Sequence, residues 1–115
     1  MIKRANEMVE DIKVNMRGGD GQALIKHIYS KDELKGNSRL CATITLEPGD
    51  SIGEHTHVNE EEVYYILKGE ATVIDDGTPV VVNAGDSVMT RDGASHSISN
   101  TGKETCEFMA IINLY

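Results

Sequence analysis

Tryptophan is absent from this 115-residue chain, phenylalanine occurs once and tyrosine four times. A core built from it must be aliphatic. Cysteine occurs only at Cys41 and Cys106, with no Cys-x-x-Cys spacing. That is too little for a disulfide scaffold, and reduced packing thiols are expected. Basic residues are scarce too: 11 Lys and Arg stand against 19 Asp and Glu, for a formal net charge of −8. Sequence-independent binding to nucleic acid or to anionic lipid needs a basic surface, so neither is expected as a partner. No apolar run approaches the ~20 residues that span a bilayer. The start, Met1-Ile2-Lys3-Arg4-Ala5-Asn6-Glu7, meets charge before any apolar stretch and lacks a signal-peptide core. A cytoplasmic protein is expected.

What the chain does have is ordinary globular composition, with 39% hydrophobic and 26% charged residues, in a length suited to one domain. Turn signals recur at short, even intervals. They include Gly18-Gly19-Asp20-Gly21, Pro48-Gly49-Asp50, Asp75-Asp76-Gly77, Asn83-Ala84-Gly85-Asp86, Arg91-Asp92-Gly93 and Thr101-Gly102-Lys103. Short β-branched stretches lie between them: Leu40–Leu46, Val63–Leu67, Ala71–Ile74, Val80–Val82, Ser87–Thr90, Ser95–Ser99 and Cys106–Leu114. That rhythm indicates an all-β sandwich or barrel, with a hairpin over Ala71–Val82 turning at Asp76-Gly77. Ser30–Leu34 carries a helix-start pattern that Gly36 stops within about one turn. Residues 1–16 read as an N-terminal arm or short helix, and 17–115 as the β domain.

Chemistry concentrates between Gly49 and Gly69. On a strand, residues two apart share a face, so His55 and His57 point together. Carboxylates follow at Glu60-Glu61-Glu62, and His96 opens a later strand after its own tight turn. Imidazoles and a carboxylate converging in a barrel make a nitrogen–oxygen metal site.

Here the chain resembles the cupin family. The first family motif, Gly-x5-His-x-His-x(3 or 4)-Glu-x6-Gly, is matched by Gly49, His55, His57, Glu62 and Gly69. The second, Gly-x5-Pro-x-Gly-x2-His-x3-Asn, is matched by Gly85, Gly93, His96 and Asn100, with Arg91 in place of Pro. The resemblance implies a jelly-roll barrel of six to eight strands, the double-stranded β-helix. It also implies one divalent ion per chain on His55, His57, Glu62 and His96. Family spacing selects Glu62 over its neighbours, and alternation then turns Glu62, Tyr64 and Ile66 inward. Glu60 and Glu61 are left as solvated charge. With no thiolate in the set, Mn, Fe, Co, Ni, Cu and Zn all suit it.

Cupins include dioxygenases, decarboxylases, isomerases and sensing modules, so the fold does not name a reaction. The reading favoured is a metal-dependent enzyme on a small oxygenated or carboxylate substrate, the alternative a non-catalytic binding or sensing module. Tyr64 is a candidate proton donor, and Arg91 a candidate carboxylate grip whose competing role is an ordinary surface turn. Ile44, Ile66, Met89 and Ile98 are expected to keep the pocket dry. The glycine-rich run near residue 20 reads as a turn, and His27 as structural. Exposed sheet edges and the apolar alternation in the arm imply a homodimer.

Overall fold

Positive-φ turns and β-branched runs divide the chain as the sequence rhythm indicates. A computed structural model covers residues 1–115. Its strands are β1 (Val9–Val14), β2 (Gln22–His27), β3 (Ser38–Leu46), β4 (Ser51–Thr56) and β5 (Glu60–Lys68), then β6 (Glu70–Asp75), β7 (Thr78–Asn83), β8 (Ser87–Thr90), β9 (Ser95–Ser99) and β10 (Cys106–Leu114). These ten exceed the six to eight expected. Two antiparallel sheets result, ordered β1-β2-β3-β10-β5-β8 and β4-β9-β6-β7. Together they make the jelly-roll barrel of an all-β protein.

The hairpin between β6 and β7 turns on Asp76 and Gly77, at φ 45° and 92°. Two consecutive positive-φ residues give the primed turn whose twist suits a two-residue hairpin loop. Ser30–Leu34 makes a single turn, in which Glu33 accepts from the Ser30 amide and Ser30 caps Glu33 in return. Residues 1–16 hold a short 3-10 turn at Ala5–Glu7 and the strand β1, paired in register with β2. His27 bridges those two strands by a 2.9 Å contact to Asp11, far from any cluster of ligands.

Alternation sets the core. Ala42, Ile44 and Leu46 of β3 and Cys106, Phe108 and Ala110 of β10 point inward, toward Ile52, Val73 and Ile98 of the smaller sheet. Each fully buried Ile, Leu, Val or Phe side chain among them contributes about 1.5–3 kcal/mol. Both cysteines are free, and burial pushes the Cys106 thiol up to about 11, so it packs as an apolar group. No helix is long and apolar enough to cross a membrane.

Candidate metal centre

One end of the barrel interior is polar. On the smaller sheet, His55 of β4 and His96 of β9 are cross-strand partners, and His57 follows just after β4. Glu62 faces them from β5 of the larger sheet. His57, Glu62 and His96 are buried, and His55 nearly so. All four sequence-predicted ligands therefore meet.

The outward ring nitrogens are all engaged. His55 Nδ1 donates to the Gly53 carbonyl at 2.8 Å, and His57 Nδ1 donates to Glu60 at 3.3 Å. His96 Nδ1 lies 2.8 Å from the Thr90 hydroxyl. Because a carbonyl and a carboxylate only accept, the Nδ1 bonds of His55 and His57 leave Nε2 as a lone pair facing inward. The three Nε2 atoms crowd, and His96 Nε2 is a third lone pair when its Nδ1 donates to the Thr90 hydroxyl. His96 Nε2 lies 2.9 Å from His55 Nε2 and 3.0 Å from His57 Nε2. Glu62 Oε1 stands 3.0 Å from the Nε2 atoms of His57 and His96 and 3.8 Å from that of His55.

Glu62 Oε1 is buried without a hydrogen-bond partner of its own. Converging ring nitrogens and an orphaned carboxylate oxygen cost free energy unless a proton or a metal cation sits among them. Ligand bonds of about 2.1 Å at right angles put neighbouring donor atoms about 3 Å apart, close to the spacing of the pairs above except His55 and Glu62 at 3.8 Å. The residues fit a divalent ion.

Electrostatics agree. Burial pushes the Glu62 carboxyl up, but the three imidazoles around it outweigh burial and hold it well below the usual carboxylate range. The Glu62 carboxylate beside it raises His57 against the opposing effect of burial, with Glu60 adding to the rise, whereas burial lowers His96. Tyr64 is buried, with its ring stacked on His96 at 4.9 Å and packed on Phe108 at 4.6 Å. Burial and the Glu62 charge raise its phenol well above 10.0, so the hydroxyl keeps its proton.

Three expectations need correction. Glu60 is not solvated charge: Arg39 grips it through Nε at 2.6 Å and Nη2 at 2.9 Å, and it orients His57. Its parity with Glu62 on β5, which puts both on one face, was the available signal. Met89 points outward and is 48% exposed, because Thr90 takes the inward position of β8 beside His96. Ile44 lines the cavity next to the cluster, but Ile66 and Ile98 sit deeper in the core and Ile52 supplies a wall instead. Arg91 lies on the surface with its Nε 3.6 Å from Asp92 and does not line that cavity.

The cavity itself is about 110 Å³ and mostly apolar. Besides the cluster and Tyr64, its lining includes two cations that sequence reasoning missed, Arg17 and Arg39. Asn100, the last residue of the second motif, has a structural role. It is buried, donates to the Leu46 and Glu104 carbonyls at 2.8 Å, and accepts from the Gly102 amide at 3.0 Å.

A jelly-roll barrel holding three imidazoles and one carboxylate inside one end defines a class of small metal-site β-barrel proteins. The chain belongs to the cupin family, whose domain model matches residues 42–112. It is 44% identical, over 99% of its length and 94% of the relative's, to an oxalate-binding protein from Thermotoga maritima. It superposes with a TM-score of 0.94 and 43% identity, over all of both chains, on a crystal structure from Thermotoga maritima described as a predicted oxalate decarboxylase. A cupin domain of a transcriptional regulator from Enterobacter cloacae shares the fold at a TM-score of 0.71 and 20% identity, over 81% of this chain and 97% of that one.

Proposed function

We propose that this cupin holds one divalent ion on His55, His57, Glu62 and His96 and binds a small carboxylate of the oxalate class beside it. The observation that carries the reading is the convergence of three inward ring nitrogens and the partnerless Glu62 oxygen at the wall of a small cavity. When bound, the ion supplies a Lewis-acidic centre of about one residual positive charge that attracts an anionic oxygen. Apolar walls from Ile44, Ile52 and Ile112 keep the attraction in a low dielectric, where it is strongest. The oxalate-binding relative supports the ligand class.

The test has two stages. Protein purified without a His tag is expected to carry near-stoichiometric metal, and His57→Ala little. Calorimetry on the metal-loaded protein should then detect oxalate. Equal trace metal in both proteins, or no heat with oxalate, would overturn the reading.

A second reading is enzymatic: a dioxygenase, decarboxylase or isomerase type of reaction. Tyr64 favours it, since this buried, protonated phenol is among the residues that line the cavity and can donate a proton there. Glu60 is held by Arg39 and Glu62 belongs to the cluster, which leaves Tyr64 as the proton-bearing group of the lining. Tyr64→Phe should abolish turnover of oxalate while sparing its binding. Loss of neither refutes this role.

Two copies would pair through the outer face of the larger sheet. Val63, Met89 and Ile111 share that face by register, as do Tyr65 and Met109, and no element covers it. On an acidic chain, an uncharged apolar patch of this kind is a place where two copies can meet without like-charge repulsion. Light scattering should give twice 12.6 kDa at micromolar concentration, and a monomer mass would refute pairing.

A further inference from the structure

The cations lining the cavity are not equivalent. Arg39 is neutralised by its two-point contact with Glu60. Arg17 has no carboxylate within ion-pair distance and no side-chain hydrogen bond within the chain, so its charge is unspent. Its position is nevertheless built. Asn15, Arg17 and Gly18 all take left-handed φ, at 51°, 55° and 80°, and such a conformation is unfavourable for a long side chain. The Asn15 side chain donates to the Gly19 carbonyl at 3.0 Å and closes the turn. The turn is pressed on β4, where a Cβ on Gly53 would collide with the Arg17 carbonyl oxygen and one on Gly19 with that of Ser51. Gly53 is also the residue whose carbonyl orients His55. One glycine contact thus fixes both a candidate ligand and the backbone that carries Arg17.

Charge counting shows what the guanidinium is for. A divalent ion on three neutral imidazoles and one carboxylate keeps one positive charge. A monocarboxylate cancels it. A dicarboxylate dianion overshoots by one negative charge, which the unpaired guanidinium of Arg17, an exposed residue of the cavity lining, would balance. Arginine also presents a planar fork that matches two carboxylate oxygens at once.

We propose that Arg17 determines ligand specificity in this cupin, by taking the outward carboxylate oxygens of a bound dicarboxylate and so favouring dianions over monoanions. The inference rests on the metal-and-carboxylate reading above and assigns a residue outside both family motifs.

Calorimetry on metal-loaded protein tests it, with oxalate as the dianion and acetate as the monoanion. Arg17→Gln should weaken oxalate about ten-fold or more, the scale of losing a charge-assisted bidentate contact, and leave acetate within about two-fold of wild type. Arg17→Gly guards against a folding artefact. Glycine suits the left-handed position, so this variant should melt no lower than wild type and keep its metal while losing oxalate to the same extent. If wild type binds no oxalate, the functional reading fails. If wild type binds and Arg17→Gln binds equally well, or loses oxalate and acetate in parallel, the specificity role alone is overturned.

Discussion

The two ends of the barrel interior obey one rule of alternation and arrive at opposite energetics. Along β5 the inward positions run Glu62, Tyr64, Ile66, and along β9 they run His96, Ile98. At the aliphatic end, burial is its own reward, because Phe108, Ile66 and Val73 leave water with no polar atom stranded. At the polar end, the same burial crowds nitrogens and leaves Glu62 Oε1 without a partner. Close packing therefore specifies the fold at one end and a ligand requirement at the other. A barrel that had to satisfy only itself would not keep the second arrangement.

Truncating the aliphatic end should have the largest effect. Phe108→Ala removes a fully buried ring that packs on Tyr64, and such changes cost about 3–5 kcal/mol. Denaturant unfolding should show that loss whether metal is present or chelated. Removing metal strikes the polar end instead. With metal at roughly 100 to 1,000 times its dissociation constant, chelation should lower stability by about 3–4 kcal/mol. His96→Ala should abolish that metal-dependent increment. If chelation shifts wild type and His96→Ala alike, the polar end is not a metal site.

Much of this contrast was legible in the sequence. Strand parity pairs His55 with His57, the spacing of the cupin resemblance adds Glu62 and His96, and turn chemistry marks seven of the ten strands outright. What escaped depends on contacts between distant segments. Arg17 follows a weakly patterned segment, and only the close approach of Gly19 and Gly53 to neighbouring backbone reveals where its turn sits. Arg39 reaches Glu60 across 21 residues. Met89 was misplaced because β8 has only four residues, too few to show which parity faces inward until Thr90 is seen against His96.

A subtler way to break the comparison leaves every ligand in place. Glu60 fixes the tautomer of His57, and Arg39 fixes Glu60. Groups that orient metal-bound histidines from behind typically change metal affinity about 10–100-fold. Glu60→Gln should weaken metal binding within that range in a competition assay with a chromophoric chelator. Its metal-free melting point near neutrality should fall only modestly, since the pair with Arg39 is partly solvent-screened. Unchanged affinity would reduce the Arg39–Glu60 contact to a surface ion pair.

The smallest effect is in pH, read on metal-free protein. Folding lowers Glu62 and Glu60 below their ordinary 4.5, so their contribution is full above that pH and is lost as pH falls through the folded values. His96, lowered by burial from 6.5, also favours the fold at higher pH, whereas His57, raised from 6.5, favours it at lower pH and loses its contribution as pH rises. The two histidines oppose each other, so the melting point should change little around neutrality and fall more steeply below 4.5. A domain of this size shifts by roughly 4–8 °C per kcal/mol, which makes even a modest acid limb measurable. Phe108→Ala titrates nothing and should lower the melting curve by a similar amount at every pH, whereas Glu60→Gln removes one of the responsible carboxyls and should flatten the acid limb. An acid limb equally steep in Glu60→Gln and wild type would take Glu60 out of the titrating groups and leave Glu62 as the contributor from the polar end.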